Sequence, residues 1–154
     1  MVRQLDLPAA DAALATLSRV DYTDAFRADV SSLSPRSGEA WAREMIEEAP
    51  PTVRRGLRQG WQALGLKLAP DGAEGCVLGW RIRHSDADHA LLGVDSWIGM
   101  PAELLFKPDG DSLLFATIVG QHNPLARVVW AAIGPRHRRI VPRLLAAAVG
   151  RQTD

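Results

Sequence analysis

Apolar and polar positions change their period several times along the chain, and each change marks an element. From Ala9 to Leu17 an alanine-rich stretch follows Pro8, with Leu14 and Leu17 three apart, and predicts a short helix. Between Val20 and Asp29 the period falls to two: Tyr22, Asp24, Phe26 and Ala28 share one parity, the mark of a strand. A serine-rich loop leads into Gly38–Glu48, where Trp41, Met45 and Glu48 stand at helical spacing. After Pro50-Pro51 the residues Val53, Leu57, Trp61 and Leu64 form an amphipathic stripe, a second helix over Thr52–Leu64.

Loop residues Pro70, Asp71, Gly72 and Gly75 separate that helix pair from four predicted strands: Cys76–His84, His89–Ile98, Pro101–Lys107 and Ser112–Gln121. Asp109-Gly110 reads as the centre of a two-residue hairpin loop. That register sets Phe106 opposite Leu113, Leu104 opposite Phe115, Ala102 opposite Thr117 and Glu103 opposite Ala116. The same parity, carried backwards, puts Trp80, Ile82, Leu92, Val94, Ser96 and Ile98 on an apolar face, with Arg81, Arg83, Asp95 and Glu103 on the other. The second face is expected to be wet and to carry exposed cross-strand charge contacts.

The apolar face needs a cover. Asn123-Pro124, a cap followed by proline at the first helical position, opens a helix that runs to about Val149. Val129, Trp130, Ile133, His137, Ile140, Val141 and Leu144 fall on one stripe, and Arg127, Arg138, Arg139 and Arg143 fall off it. Pro135 and Pro142 are expected to kink or break the helix.

Composition narrows the class. The 154 residues suit one domain over 1–154, with residues 1–19 as an N-terminal extension and 20–149 as its body. Hydrophobic residues at 47% and charged residues at 23% are those of ordinary globular chains. A formal net charge of zero offers no field for nucleic acid, and no stretch approaches the ~20 apolar residues of a bilayer span. Neither a nucleic-acid partner nor stable membrane insertion is expected. Arg127, Arg136, Arg138, Arg139, Arg143 and Arg151 read as a solvated helix face balanced by Glu39, Glu44, Glu47 and Glu48. The opening segment lacks the basic start and continuous apolar run of a signal peptide, and Cys76 is the single cysteine; both point to the cytoplasm.

Strand, helix pair, antiparallel meander and long terminal helix is the order of the helix-grip fold, an α+β arrangement in which an antiparallel sheet wraps around a C-terminal helix. Asp21-Tyr22-Thr23-Asp24-Ala25-Phe26, Gly79-Trp80, Phe115-Ala116-Thr117, and Trp130 followed by Pro135-Arg136-His137-Arg138 resemble a domain-of-unknown-function branch of the START-like (SRPBCC) superfamily. The resemblance covers most of the chain after the extension. It implies a pocket between sheet and terminal helix, of the kind found in the polyketide cyclases, aromatases and lipid-binding proteins of that superfamily.

Mid-stripe, His137 should face the sheet, and Asp24 shares the inward strand parity. They are the candidate catalytic acid/base pair or polar anchors. Alternatively, His137 is a core histidine satisfied by a backbone carbonyl, and Asp24 lies at a strand rim and caps a neighbouring backbone. Tyr22, Trp80, Ser96, Thr117, Trp130 and Ile133 complete the candidate ligand-binding set. His84, His89, His122 and His137 show no metal-ligand spacing and no phosphate-binding glycine loop occurs, so no metal or cofactor is expected.

The favoured function is binding of a small apolar molecule, whether lipid, aromatic or polyketide-like. A cofactor-free cyclase or aromatase-like enzyme is one alternative. The other is a ligand-free structural module that forms a homodimer through its apolar patch. With no arginine on the inward parity, a strongly anionic ligand is not expected.

Overall fold

The computed structural model describes residues 1–153; Asp154, the last residue of the expected domain, lies outside them. The strands are β1 (Val2–Leu5), β2 (Tyr22–Asp29), β3 (Cys76–Val77), β4 (Trp80–Ser85), β5 (Ala90–Val94), β6 (Ala102–Asp109) and β7 (Ser112–Val119). They form one antiparallel sheet in the order β1-β2-β7-β6-β5-β4-β3. The helices are α1 (Ala9–Ala12), α2 (Gly38–Ile46), α3 (Pro51–Ala63) and α4 (Pro124–Thr153), and α4 packs on the sheet in the α+β helix-grip arrangement. No described helix is long and apolar enough to cross a membrane.

The start of α4 is built as its first residues require. Asn123 Oδ1 accepts from Ala126 N at 2.9 Å, satisfying a free first-turn donor, while its Nδ2 donates to Ile98 O at 3.0 Å. The cap therefore also ties the helix to the connection between β5 and β6. Pro135 and Pro142 do not break α4, which is continuous over its 30 residues. Pro135 sits on the exposed side beside exposed Ala131, whose carbonyl loses its helical partner where water can replace it. Near the far end, Arg151 Nε meets Glu44 Oε1 of α2 at 2.7 Å. Glu39 and Glu47, expected to balance the terminal arginines, instead pair with Arg43 inside their own helix.

The register between β6 and β7 differs from the expected one by two residues. Asp109 pairs with Ser112, so Gly110 and Asp111 form the loop, and Phe106 faces Phe115, Leu104 faces Thr117, Ala102 faces Val119 and Glu103 faces Ile118. A loop centred on Asp109-Gly110 would make Pro108 and Asp111 the closing hydrogen-bonded pair, and proline has no N–H to give. In the observed register Pro108 opposes Leu113 at a position where antiparallel strands exchange no hydrogen bonds. Because side chains alternate with a period of two, the shift leaves every residue on its expected face.

Two strands escape the sequence pattern. The expected strand Cys76–His84 folds back at Leu78-Gly79, both at positive φ (47° and 95°), so that Val77 pairs with Trp80. Arg58 Nη1 holds this turn, donating to Leu78 O and Ala69 O at 3.1 Å each. The other is β1, which pairs with β2 at the sheet edge.

The second face of the sheet is dry at its centre and wet only toward its margins. Leu5, Leu7 and Leu14 of the N-terminal leg cover Ala25, Leu91, Leu105, Leu114 and Ala116. Glu103, expected to be exposed, is 0% exposed in their midst. Its Oε1 accepts from Thr16 N (2.8 Å) and Leu17 N (3.3 Å), and its Oε2 from Arg83 Nη1 (3.0 Å) and the Thr16 hydroxyl. Arg81 and Asp95 do stay exposed, and Asp95 lies 3.5 Å from Arg83.

Removing one partner of a buried, fully bonded carboxylate strands the others, whereas exposed pairs contribute little. Glu103→Ala is expected to lower stability by about 3 kcal/mol and Asp95→Ala by less than ~0.5 kcal/mol in urea unfolding.

Candidate functional site

Because α4 crosses the apolar face without filling it, a cavity of about 370 Å³ lies between it, α3 and the sheet centre. That volume falls among small-molecule pockets, roughly 300–1,000 Å³. Leu104, Phe115, Thr117 and Val119 form the floor, Trp130, Ile133, His137 and Ile140 the roof, and Trp80, Leu57, Trp61 and Leu64 one side. No residue of α3 is buried. Its ring contact with the sheet is Trp61 edge-on to Trp80, centroids 5.5 Å apart. Gly56 and Gly60 also border the cavity, and a Cβ at either would meet nothing within 4 Å.

The polar groups gather on one wall. Antiparallel pairing of β2 with β7 sets Asp24 directly opposite Thr117, and the stripe of α4 brings His137 over that pair. His137 Nε2 lies 3.1 Å from both Asp24 Oδ2 and Thr117 Oγ1. Behind them the Tyr22 hydroxyl donates to the same Asp24 Oδ2 at 2.8 Å, and Arg138 Nη1 donates to Tyr22 Oη at 3.2 Å. The rings follow in the same order, each tilted against the next: Tyr22 against Trp130 with centroids 4.8 Å apart, and Trp130 against His137 at 5.1 Å. Among the described residues four buried side-chain polar atoms have no partner: Asp24 Oδ1, Arg27 Nε, and the indole Nε1 of Trp80 and of Trp130. Buried polar atoms are nearly always satisfied, and three of these four belong to side chains that line the cavity or stand directly behind it, which sets its surroundings apart from ordinary core.

The structure brings most of the expected site together. Trp80, Thr117, Trp130, Ile133 and His137 line the cavity, while Tyr22 and Asp24 stand behind His137. Ser96 is elsewhere: its Oγ accepts from Ile98 N at 3.1 Å and its backbone bridges Leu66. Arginines are closer than the helix stripe implied. Arg136 borders the cavity and Arg138 reaches Tyr22, because the roof is wider than one line of side chains. The wall supplied by α3 was legible as an amphipathic stripe but not as part of a site. Its signal was Gly56 and Gly60, four apart in a helix interior, where each glycine costs about 1 kcal/mol relative to alanine.

A second cluster lies at the hairpin between β4 and β5. His84, Asp86 and His89 bring ligand atoms within 4.8 Å of one another, with the two rings stacked at 4.3 Å. The set could hold a divalent transition-metal ion with open positions left over. It also has a sufficient local cause. Asp86 accepts from His89 N, His84 Nε2 and Asp88 N, which close the turn and hold its carboxyl down at about 2.

Burial raises the Tyr22 phenol to about 12, with Asp24 adding to the shift and Arg138 opposing it. As the folded value lies above the unfolded one, the stabilisation is fully present below pH ~10 and is lost as pH rises toward ~12. Tyr22 is the single tyrosine. The phenolate difference spectrum of the native chain should therefore show one transition near pH 12, displaced to about 10 on unfolding.

No family model, curated protein or solved structure matches the chain, so what it does has to be read from this site.

Proposed function

We propose that the chain binds a small, mainly apolar molecule in the cavity between the sheet and α4. The observation that carries this reading is a mainly apolar chamber of about 370 Å³ with few polar side chains, Thr117 and His137 in contact where floor meets roof and Arg136 at the border, the composition that orients a ligand without a large desolvation cost. Kinship with the START-like superfamily is part of the proposal, supported by the order of strand, helix pair, meander and terminal helix. The single cysteine supports a cytoplasmic setting.

A second reading, a cofactor-free acid/base enzyme, draws on the contact of His137 with the buried Asp24 carboxylate beside the cavity. It needs the first one, since chemistry on a bound molecule begins with its binding.

Native mass spectrometry of the purified protein should reveal a bound small molecule, and equilibrium dialysis should show uptake of naphthalene. Gly60→Leu adds bulk at the cavity border while removing a helix-interior glycine. It is expected to reduce uptake at least tenfold and to keep or raise the melting temperature, since the propensity gain is about 0.5–1 kcal/mol. Empty spectra with no naphthalene uptake would sink the binding reading, and a stable two-fold dimer in that same protein would favour the interaction module instead.

A further inference from the structure

The direction of the hydrogen bonds behind His137 is not free. A guanidinium has only donors, so Arg138 Nη1 must give its hydrogen to Tyr22 Oη. The single hydroxyl hydrogen of Tyr22 then goes to the other neighbour of that oxygen, Asp24 Oδ2, 2.8 Å away. Asp24 Oδ2 is thereby an acceptor, and this carboxylate oxygen lies 3.1 Å from His137 Nε2, too close for a lone pair on that nitrogen to face it. An acceptor facing a ring nitrogen fixes the proton on that nitrogen. The neutral imidazole therefore keeps its hydrogen on Nε2 and its lone pair on Nδ1. Among the described residues nothing donates to Nδ1. The side chain is 19% exposed and borders the cavity.

Thr117 completes the arrangement. Its Oγ1 lies 3.1 Å from the same Nε2 and accepts that hydrogen, which leaves its own hydroxyl hydrogen free to turn to another oxygen. The groups left free on these two cavity-lining residues are thus an acceptor, His137 Nδ1, and a donor, the Thr117 hydroxyl. A hydroxyl group on a bound molecule answers both, giving its hydrogen to the imidazole and its lone pair to the threonine.

We infer that the cavity selects apolar molecules bearing a phenolic or enolic hydroxyl, which donates to His137 Nδ1. This rests on the binding reading above and specifies its ligand class. A plain hydrocarbon leaves both groups unanswered, and an ether answers only Thr117. A carboxylate would meet the lone pair of Nδ1 with its own and find its partner in Arg136 at the cavity border instead.

The test is equilibrium dialysis of the full chain against naphthalene, 2-methoxynaphthalene, 2-naphthol and 2-naphthoate, four bodies of nearly one shape. 2-Naphthol is expected to bind about tenfold tighter than the hydrocarbon and the ether, the worth of one hydrogen bond made out of water. His137→Phe keeps a ring in contact with Trp130 and should bind those three alike. Independently of any variant, ¹⁵N spectra of the histidines should show the uncharged form of His137 as the tautomer with a protonated Nε2 and a bare Nδ1. Equal binding of naphthol, ether and hydrocarbon overturns the inference and leaves the binding reading standing, whereas uptake of none of the four removes both. Tighter binding of 2-naphthoate overturns it in favour of an anion anchor at Arg136, and a proton found on Nδ1 overturns it outright.

Discussion

Glu103 stands near the centre of the sheet's second face, and four donors close on its carboxylate: two backbone N–H groups, a hydroxyl and a guanidinium. A charge at that depth is tolerable only when so surrounded. Three of the donors belong to Thr16 and Leu17, so satisfying the charge drags the N-terminal leg across the sheet. Leu5, Leu7 and Leu14 then dry the apolar residues around it. With that face closed by the leg alone, both longer helices beyond β2 and the 30-residue terminal helix are left for the other face, where they enclose space rather than fill it.

The cavity wall repeats the same economy of charge with one difference. Asp24, nearly as deep as Glu103, has one donor, the Tyr22 hydroxyl on Oδ2, with His137 Nε2 3.1 Å from that same oxygen, while Oδ1 has none. Glu103 is satisfied on both oxygens by parts of the chain that do not face a void. Asp24 is satisfied on one, and its imidazole partner does face one. Two buried carboxylates in one sheet thus occupy different positions: one fastens a segment, and the other orients a ring at the border of an empty space.

How much of this was legible depended on the reach of each signal. Periods sustained over a helix or a long strand marked β2, α2, α3 and α4 to within a few residues, and the stripe of α4 correctly selected Trp130, Ile133 and His137. Asp24 and His137 could be put on inward faces separately, because face is a local property of parity. Their meeting was not local. It depends on the pairing of Asp24 with Thr117 and on the height at which α4 crosses them. The four-residue strand β1 is too short to show a period, and Leu78 gives no turn signal because leucine rarely occupies positive φ. Glu103 was put on the correct face and given the wrong surroundings, since a residue's own parity does not reveal what the rest of the chain lays over it.

Pro108 illustrates a further property of the hairpin between β6 and β7. A slip of two residues there would bury the same side chains on the same face, so burial alone ranks the two pairings nearly equal. It would also displace one strand along the other by about 7 Å. What separates the alternatives is one absent N–H at Pro108 together with a glycine free to take φ 58° at position 110. In the language of folding landscapes, the hydrophobic pattern leaves a near-degenerate pair of minima, and a single imino acid lifts the degeneracy. It does so through the hairpin alone, yet the height at which His137 finds Thr117 depends on the pairing it selects.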